Sequence, residues 1–166
     1  MSSQPIERER KGSAAPLGTS PSRPREGRPD RFNMLVNALL GLIGLEFLTG
    51  IGVNLEVTSF PSSLGVLFGP SAASYSPLLL AHAALGIILG ILALVTVVLA
   101  SRLQDRVLLL GSVSGLGSVL LAAIAGAGFL GSGGVATYSF VMAVGFLGAF
   151  WSYFRVRVRL SALEGT

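Results

Sequence analysis

Four long apolar segments constrain this 166-residue chain more than any other feature of its sequence. A helix of ~20 residues crosses a hydrocarbon core about 30 Å thick, and each segment is close to that length. Because lipid offers the backbone no water, such segments must fold as helices that satisfy their own hydrogen bonds. The mean hydropathy is +0.72 and only 12% of residues are charged, against about 25% in soluble domains. The sequence therefore predicts an all-α membrane protein, an up-down bundle of four transmembrane helices near residues 33–53, 78–100, 107–129 and 135–154.

The first 31 residues have a different character from the rest of the chain. They contain five of the eight prolines and seven of the twelve Lys and Arg residues, with few apolar side chains. A segment of this composition buries too little apolar surface to fold. We expect a disordered, Pro/Arg-rich cytoplasmic tail at residues 1–31, a transmembrane domain at 32–160 and a short C-terminal tail at 161–166.

The basic residues indicate the orientation of the helices. All twelve lie in the N-terminal tail, in the turn between the second and third segments, or after the fourth segment. Lys and Arg accumulate in short cytoplasmic segments beside membrane spans. The sequence therefore predicts a multi-pass protein of the cell membrane with both termini in the cytoplasm. Arg155, Arg157 and Arg159 are expected to bind anionic lipid headgroups, and this placement argues against nucleic acid as a partner.

Small residues recur along one face of three segments. His82, Gly86 and Gly90 are spaced by four residues in the second segment. Membrane helices use small residues where their backbones approach closely. We therefore interpret the glycines as helix-packing positions, and the full set is Gly86, Gly90, Gly111, Gly115, Gly126, Gly145 and Gly148.

Two ionisable residues, Glu46 and His82, fall inside the predicted spans. A charge buried at this depth costs a few kcal/mol or more, so each residue needs a partner. Counted at 1.5 Å per residue, both lie about 6 to 10 Å below the same end of the bundle. The sequence predicts that they form a hydrogen-bonded or ionic pair, with the protonation state left open.

Met142 of the fourth segment lies at a similar depth, opposite small residues of the third segment. Histidine with methionine is an axial pair for haem iron, so His82 and Met142 are the candidate ligands for haem b. A structural pair of Glu46 and His82 without a cofactor is the favoured interpretation. The chain has no cysteine, and no metal site is expected.

The connection between the first two segments, residues 54–76, is the one sizeable loop. Its central part, from Phe60 to Pro70, is moderately apolar. We expect it to lie along the membrane interface; a lid over the bundle or a docking site for a partner is the alternative.

Several short stretches resemble a group of small uncharacterised four-helix membrane proteins. They are Gly52-Val53-Asn54-Leu55-Glu56-Val57 with Pro61, then His82-Ala83-Ala84-Leu85-Gly86, then Met142-Ala143-Val144-Gly145-Phe146 and Tyr153. The resemblance spans residues 33–154 and implies the four-helix architecture without an activity. A fainter similarity to four-helix b-type cytochromes rests on His82. That family presents two histidines to haem, so two-histidine ligation here would require a dimer.

The function expected from the sequence is non-enzymatic. No nucleophile elbow, zinc-binding helix motif, phosphate-binding glycine loop or pair of carboxylates is present, so no catalytic residue is assigned. The favoured role is an accessory subunit or a self-associating bundle, with the lipid bilayer and a membrane protein or a second copy as partners. The alternatives are a haem-binding electron-transfer subunit that uses His82, and a small proton or ion transporter that uses Glu46 and His82.

Overall fold

The structure, a computed structural model, describes residues 28–57, 60–61, 63–70 and 72–164. This part of the chain is helical and contains no strand. Four long helices are each long and apolar enough to cross a membrane, which confirms this much of the predicted fold. They are α1 (Arg28–Glu56), α3 (Pro77–Ser101), α4 (Arg106–Gly131) and α5 (Ala136–Glu164), with the short α2 (Leu64–Leu67) and a 3-10 turn (Ala72–Ser74) between α1 and α3.

The helices extend beyond the apolar segments that predicted them. α1 and α5 each contain 29 residues, or about 43 Å of helix. The first helical turn takes in residues 28–31, which we had assigned to the tail, and residues 1–27 lie outside the described part. α5 continues ten residues past 154, through the arginines and into the expected C-terminal tail. Hydropathy identifies the part of a helix that can lie in lipid. The helix itself continues past that part, because Arg and Leu are good helix formers.

Side chains and glycines set the helix ends. The Ser76 hydroxyl accepts a hydrogen bond from the Leu78 amide, and Pro77 occupies the first turn of α3. Asp105 caps α4 in the same way. After α4, Gly133 and Gly134 have φ angles of 71° and 94°, a conformation that glycine adopts without strain. The chain therefore reverses within a few residues before α5 begins.

The four long helices pack around two apolar clusters. α4 and α5 make the most extensive contact, while α1 packs on α3 and α5, and α3 packs on α4. The larger cluster runs through all four helices and includes Val36, Leu89 and Tyr153. The smaller cluster lies where residues 57–76 connect α1 to α3, and it joins Val53, Leu67, Leu79 and Leu130. We call this the connection end, and the opposite end, which holds the described arginines, the arginine end.

The outward surface of the helices is apolar. Large side chains such as Ile124, Phe140 and Leu147 are about 70% exposed, and at most a third of each candidate span is buried inside the protein. Contiguous apolar surface of this extent is typical of membrane contact.

A polar pair beside an apolar cavity

Glu46 of α1 and His82 of α3 are in direct contact. Oε1 of Glu46 lies 3.2 Å from Nδ1 of His82, and their side chains are 4% and 14% exposed. Both residues lie in the half of their helices nearer the connection end. The structure therefore brings together the two ionisable residues that the sequence places at matching depths.

Thr49 is the third member of the polar cluster. Its hydroxyl donates to the backbone carbonyl of Glu46 at 3.0 Å and lies 3.2 Å from Nδ1 of His82. Its oxygen is also 3.4 Å from Oε2 of Glu46. Nδ1 of the imidazole thus faces two oxygens, one from the carboxyl group and one from the hydroxyl group. Sequence analysis missed Thr49, although its position three residues after Glu46 places it on the same helix face.

Two glycines make room for the pair. A Cβ atom at Gly50 would lie 3.1 Å from Cε1 of His82, and one at Gly86 would lie 3.0 Å from Oε1 of Glu46. His82 therefore packs against Gly50, four residues after Glu46, and Glu46 packs against Gly86, four residues after His82. The pattern Glu-x-x-x-Gly on α1 faces the pattern His-x-x-x-Gly on α3. Gly86 was predicted as a packing position; Gly50 was not, although this mirrored spacing is visible in the sequence.

The pair forms part of the wall of a cavity of about 280 Å³. All four long helices and the 57–76 connection contribute to the wall. Most of the lining is apolar, and the polar residues that line it are Glu46, Asn54 and His82. Met142 also lines the cavity, so both residues of the predicted haem pair face the same space.

The connection between α1 and α3 covers the cavity at the connection end. Leu67 is completely buried and lines the cavity together with Phe68. Phe60 packs edge-on against Phe129, with ring centroids 4.9 Å apart. The described residues of this connection thus lie over the helix ends. Val66 and Phe68 of this connection are 37% and 50% exposed, so its placement is compatible both with the interfacial segment that we expect and with the lid.

Toward the side, the wall of the cavity reaches the outer surface between α3 and α4. Ile87 lines the cavity and is 53% exposed, and Ala123 and Ala127 of α4 are lining residues that are also exposed. A Cβ atom at Gly90 would meet nothing within 4 Å. Small residues therefore leave a gap between these two helices. Gly90 borders this gap, and close packing does not explain it.

The other predicted glycines lie at tight contacts. On α4, Cβ atoms at Gly111 and Gly115 would clash with Val156 and Tyr153 at 2.5 and 2.6 Å. On α5, one at Gly145 would lie 2.9 Å from the backbone of Ser118 and Ala122, and one at Gly148 would lie 2.9 Å from the Ser118 hydroxyl. A Cβ atom at Gly126 would lie 3.3 Å from Sδ of Met142, and the same reasoning missed Gly128, where it would lie 2.5 Å from Tyr138.

The cavity is small for a haem group. Its volume of about 280 Å³ lies at the lower end of the ~300–1,000 Å³ found for small-molecule sites. This volume suits one or two fused rings better than a haem macrocycle. Within the described residues, no group of three or more His, Asp or Glu side chains forms a metal site.

The arginine end contains a second polar contact. Nε and Nη2 of Arg159 each donate to Oδ2 of Asp105 at 3.1 Å. Oδ1 of Asp105 accepts from the Val107 and Leu108 amides at 2.8 and 3.2 Å. The hydrogen bond from the Leu108 amide, aided by Arg159 and the Val107 amide, lowers the pKa of Asp105 below its ordinary value, although burial opposes the shift.

The three arginines assigned to lipid headgroups therefore differ. Arg155 is exposed, whereas Arg157 is only partly exposed and its Nη1 atom is buried. Arg159 contacts Asp105. Hydropathy and the positions of the basic residues did not predict this pair. Trp151 and Phe154 lie just before these arginines and are 61% and 43% exposed, as aromatic rings at a membrane boundary are.

Comparison with protein-family models, with curated proteins and with solved structures finds no match to this chain.

Proposed function

We propose that the chain is an integral protein of the cell membrane, an up-down bundle that crosses the bilayer four times with both termini in the cytoplasm. Four apolar helices of sufficient length support the crossings. The confinement of all Lys and Arg residues to the two termini and the 102–106 turn supports the orientation.

The lack of cysteine in the sequence makes the orientation easy to test. Single cysteines at Ser74 and at Ala162, both exposed, lie at opposite ends of the helices. A membrane-impermeant maleimide added to intact cells should label Ser74→Cys and spare Ala162→Cys until the cells are lysed. Labelling of Ala162→Cys in intact cells would reverse the proposed orientation.

Within that architecture, we propose a non-enzymatic binding protein for a small, membrane-dissolved molecule. The observation that carries the proposal is the cavity between the helices with the Glu46–His82 pair in its wall. Binding sites for small molecules are mostly apolar and contain a few polar groups that orient the ligand. The cavity has this composition, and its gap between α3 and α4 faces the apolar exterior.

The roles expected from the sequence stay predictions. Self-association through the glycines has less support, because Gly111, Gly115, Gly145 and Gly148 all face neighbouring helices of the same chain. Transport through the pair would need a polar path to the arginine end. Val36, Leu39 and Ile43 of α1, each at most 2% exposed, lie between the pair and that end. The buried hydroxyls of Thr96 and Ser112 donate to carbonyls of their own helices, so they form no continuous polar path.

An apolar photoreactive probe tests the binding function. The protein in lipid nanodiscs is irradiated with a trifluoromethyl phenyl diazirine, which has no hydrogen-bonding carbonyl. Labelling is then mapped by mass spectrometry. We expect label on Met142 and Val119, which line the cavity and are 8% and 4% exposed, in addition to the lipid-facing surface.

Two glycine variants provide the matched comparison. Gly90→Leu adds a side chain in the cavity wall, and Gly117→Leu adds one on α4 at a position that has nothing within 4 Å and is not in the wall of this cavity. The first variant should reduce labelling of Met142 and Val119 severalfold, and the second should leave it unchanged. Labelling confined to lipid-facing residues in the wild type would refute a ligand-accessible cavity.

A further inference from the structure

The polar cluster determines which kind of hydrogen bond the cavity offers. An electroneutral Glu46–His82 pair can share a proton in two forms, carboxylate with imidazolium or carboxylic acid with neutral imidazole. In the first, Nδ1–H donates to Oε1 and Nε2 also has a proton. In the second, the acid donates to Nδ1, so the ring proton is on Nε2. A third electroneutral form, a neutral Nδ1–H imidazole beside an acid protonated on Oε2, leaves Nε2 without a proton, but its acid proton faces only the Thr49 hydroxyl oxygen at 3.4 Å. A net charge in an apolar span is costly, so Nε2–H is a donor in the two electroneutral forms that share a proton across the 3.2 Å contact.

That donor has no partner in the described part of the protein. The hydrogen bonds of His82 are made through Nδ1, and none of the described residues accepts from Nε2. Asn54 is the third polar residue in the wall, and its Nδ2 already donates to the Gly50 carbonyl and to the Ser139 hydroxyl. His82 lines the cavity and is partly exposed, so a ligand that supplies an acceptor oxygen to Nε2 would add a hydrogen bond that the described residues do not provide.

The remaining wall favours a flat ring. Phe68, Phe129, Phe146 and Met142 line the cavity, and aromatic rings and methionine sulfur pack well against other rings. The gap beside Gly90 and Ile87 gives access from the apolar exterior rather than through the arginine end. A ligand that arrives by this route is dissolved in the lipid.

We infer that the cavity binds a lipid-soluble carbonyl compound of the quinone type, whose ring lies among the aromatic side chains and whose carbonyl oxygen accepts a hydrogen bond from Nε2 of His82. This inference rests on the proposed binding function and adds the ligand class to it. No chemical step is implied, because binding leaves the quinone and the pair unchanged.

Menadione and methylnaphthalene form a matched pair of probes. They share two fused rings and a methyl group, and only menadione has carbonyl groups. Menadione also reacts with thiols, which this chain lacks. Each compound is titrated against diazirine labelling of Met142 in nanodiscs, with concentrations corrected for partition into lipid. We expect menadione to displace the label at about five- to tenfold lower concentration, as one hydrogen bond provides, and His82→Leu to abolish this preference.

The outcomes separate the two proposals. Equal displacement by both compounds leaves a ligand-binding cavity and overturns the assignment of a carbonyl ligand. A preference for menadione that persists in His82→Leu overturns the role of Nε2. Displacement by neither compound, with Met142 unlabelled throughout, refutes the binding function itself.

A measurement on the wild-type chain avoids any variant that fails to fold. His82 is the only histidine, so protein containing ¹⁵N-histidine and purified without a polyhistidine tag shows two ring nitrogens in NMR spectra. We expect Nε2 to have a bonded proton before menadione is added, and its resonance to move more than that of Nδ1 on binding. An unprotonated Nε2, or a larger movement at Nδ1, would overturn the inference.

Discussion

The α4–α5 contact and the α1–α3 contact both contain glycines, but the glycines have different consequences. Between α4 and α5, backbone and side chains of the partner helix occupy the space at Gly115 and Gly145. Between α1 and α3, Gly50 and Gly86 accommodate an imidazole and a carboxyl group, and a cavity lies beside them. The same small-residue spacing therefore supports dense packing in one contact and a polar binding site in the other.

The largest difference between the two contacts should appear at Gly145. A Cβ atom there would meet backbone atoms of α4 at 2.9 Å, which cannot rotate away as a side chain can. Gly145→Ala should therefore cost about 2 to 3 kcal/mol of unfolding free energy, measured by titration with denaturing detergent. Gly117→Ala, at an open position, is the control and should be neutral or stabilising. Equal unfolding free energies of Gly145→Ala and Gly117→Ala would mean that the α4–α5 contact at Gly145 is no tighter than an open helix position.

A smaller effect is expected for the polar contact. In a double-mutant cycle with Glu46→Ala and His82→Ala, the coupling free energy should be about 1 kcal/mol, as for hydrogen bonds between other membrane helices. The measurement is the unfolding free energy of the wild type, both single variants and the double variant. Effects that add within a few tenths of a kcal/mol would show that the pair contributes nothing to stability.

The Asp105–Arg159 contact at the arginine end should produce a pH dependence of stability. The pKa of Asp105 is lowered in the folded protein, so its stabilisation is present above the unfolded value. It is lost as the pH falls below the ordinary value of 3.8 and through the lowered pKa. The Tm of the wild type should exceed that of Asp105→Asn near neutral pH, and the difference should vanish in acid.

Arg159→Gln sharpens this prediction. The largest cause of the lowered pKa is the Leu108 amide rather than the guanidinium group. The variant should therefore retain much of the acid dependence. Complete loss of the pH dependence in Arg159→Gln would assign the effect to the ion pair instead.

The smallest effect on stability is expected beside the cavity. Gly90 has no atom within 4 Å of a Cβ position, so Gly90→Ala should change the unfolding free energy by less than about 1 kcal/mol, and in the stabilising direction because alanine favours helix. Thermal unfolding in nanodiscs measures it. A clear destabilisation would show that α3 and α4 close on each other at this point.

The sequence predicted the helices better than their ends. The apolar segments located all four long helices, because hydropathy reports suitability for lipid directly. Hydropathy did not predict that α5 continues through Arg155 to Glu164, since charged residues end a membrane span without ending a helix. The similar depths of Glu46 and His82 predicted a pair, whereas Thr49 and Gly50 were overlooked beside Glu46.

The chain by itself determined the number of long helices, the confinement of its arginines and the presence of two ionisable residues that need partners. These follow from local composition and from the cost of exposing backbone or charge to an apolar medium. Only the tertiary structure decided that Arg159 pairs with Asp105, that Gly90 borders a gap and that a cavity lies beside His82. Each of these depends on how the helices rotate and approach one another, and residue spacing within a single helix does not specify that arrangement.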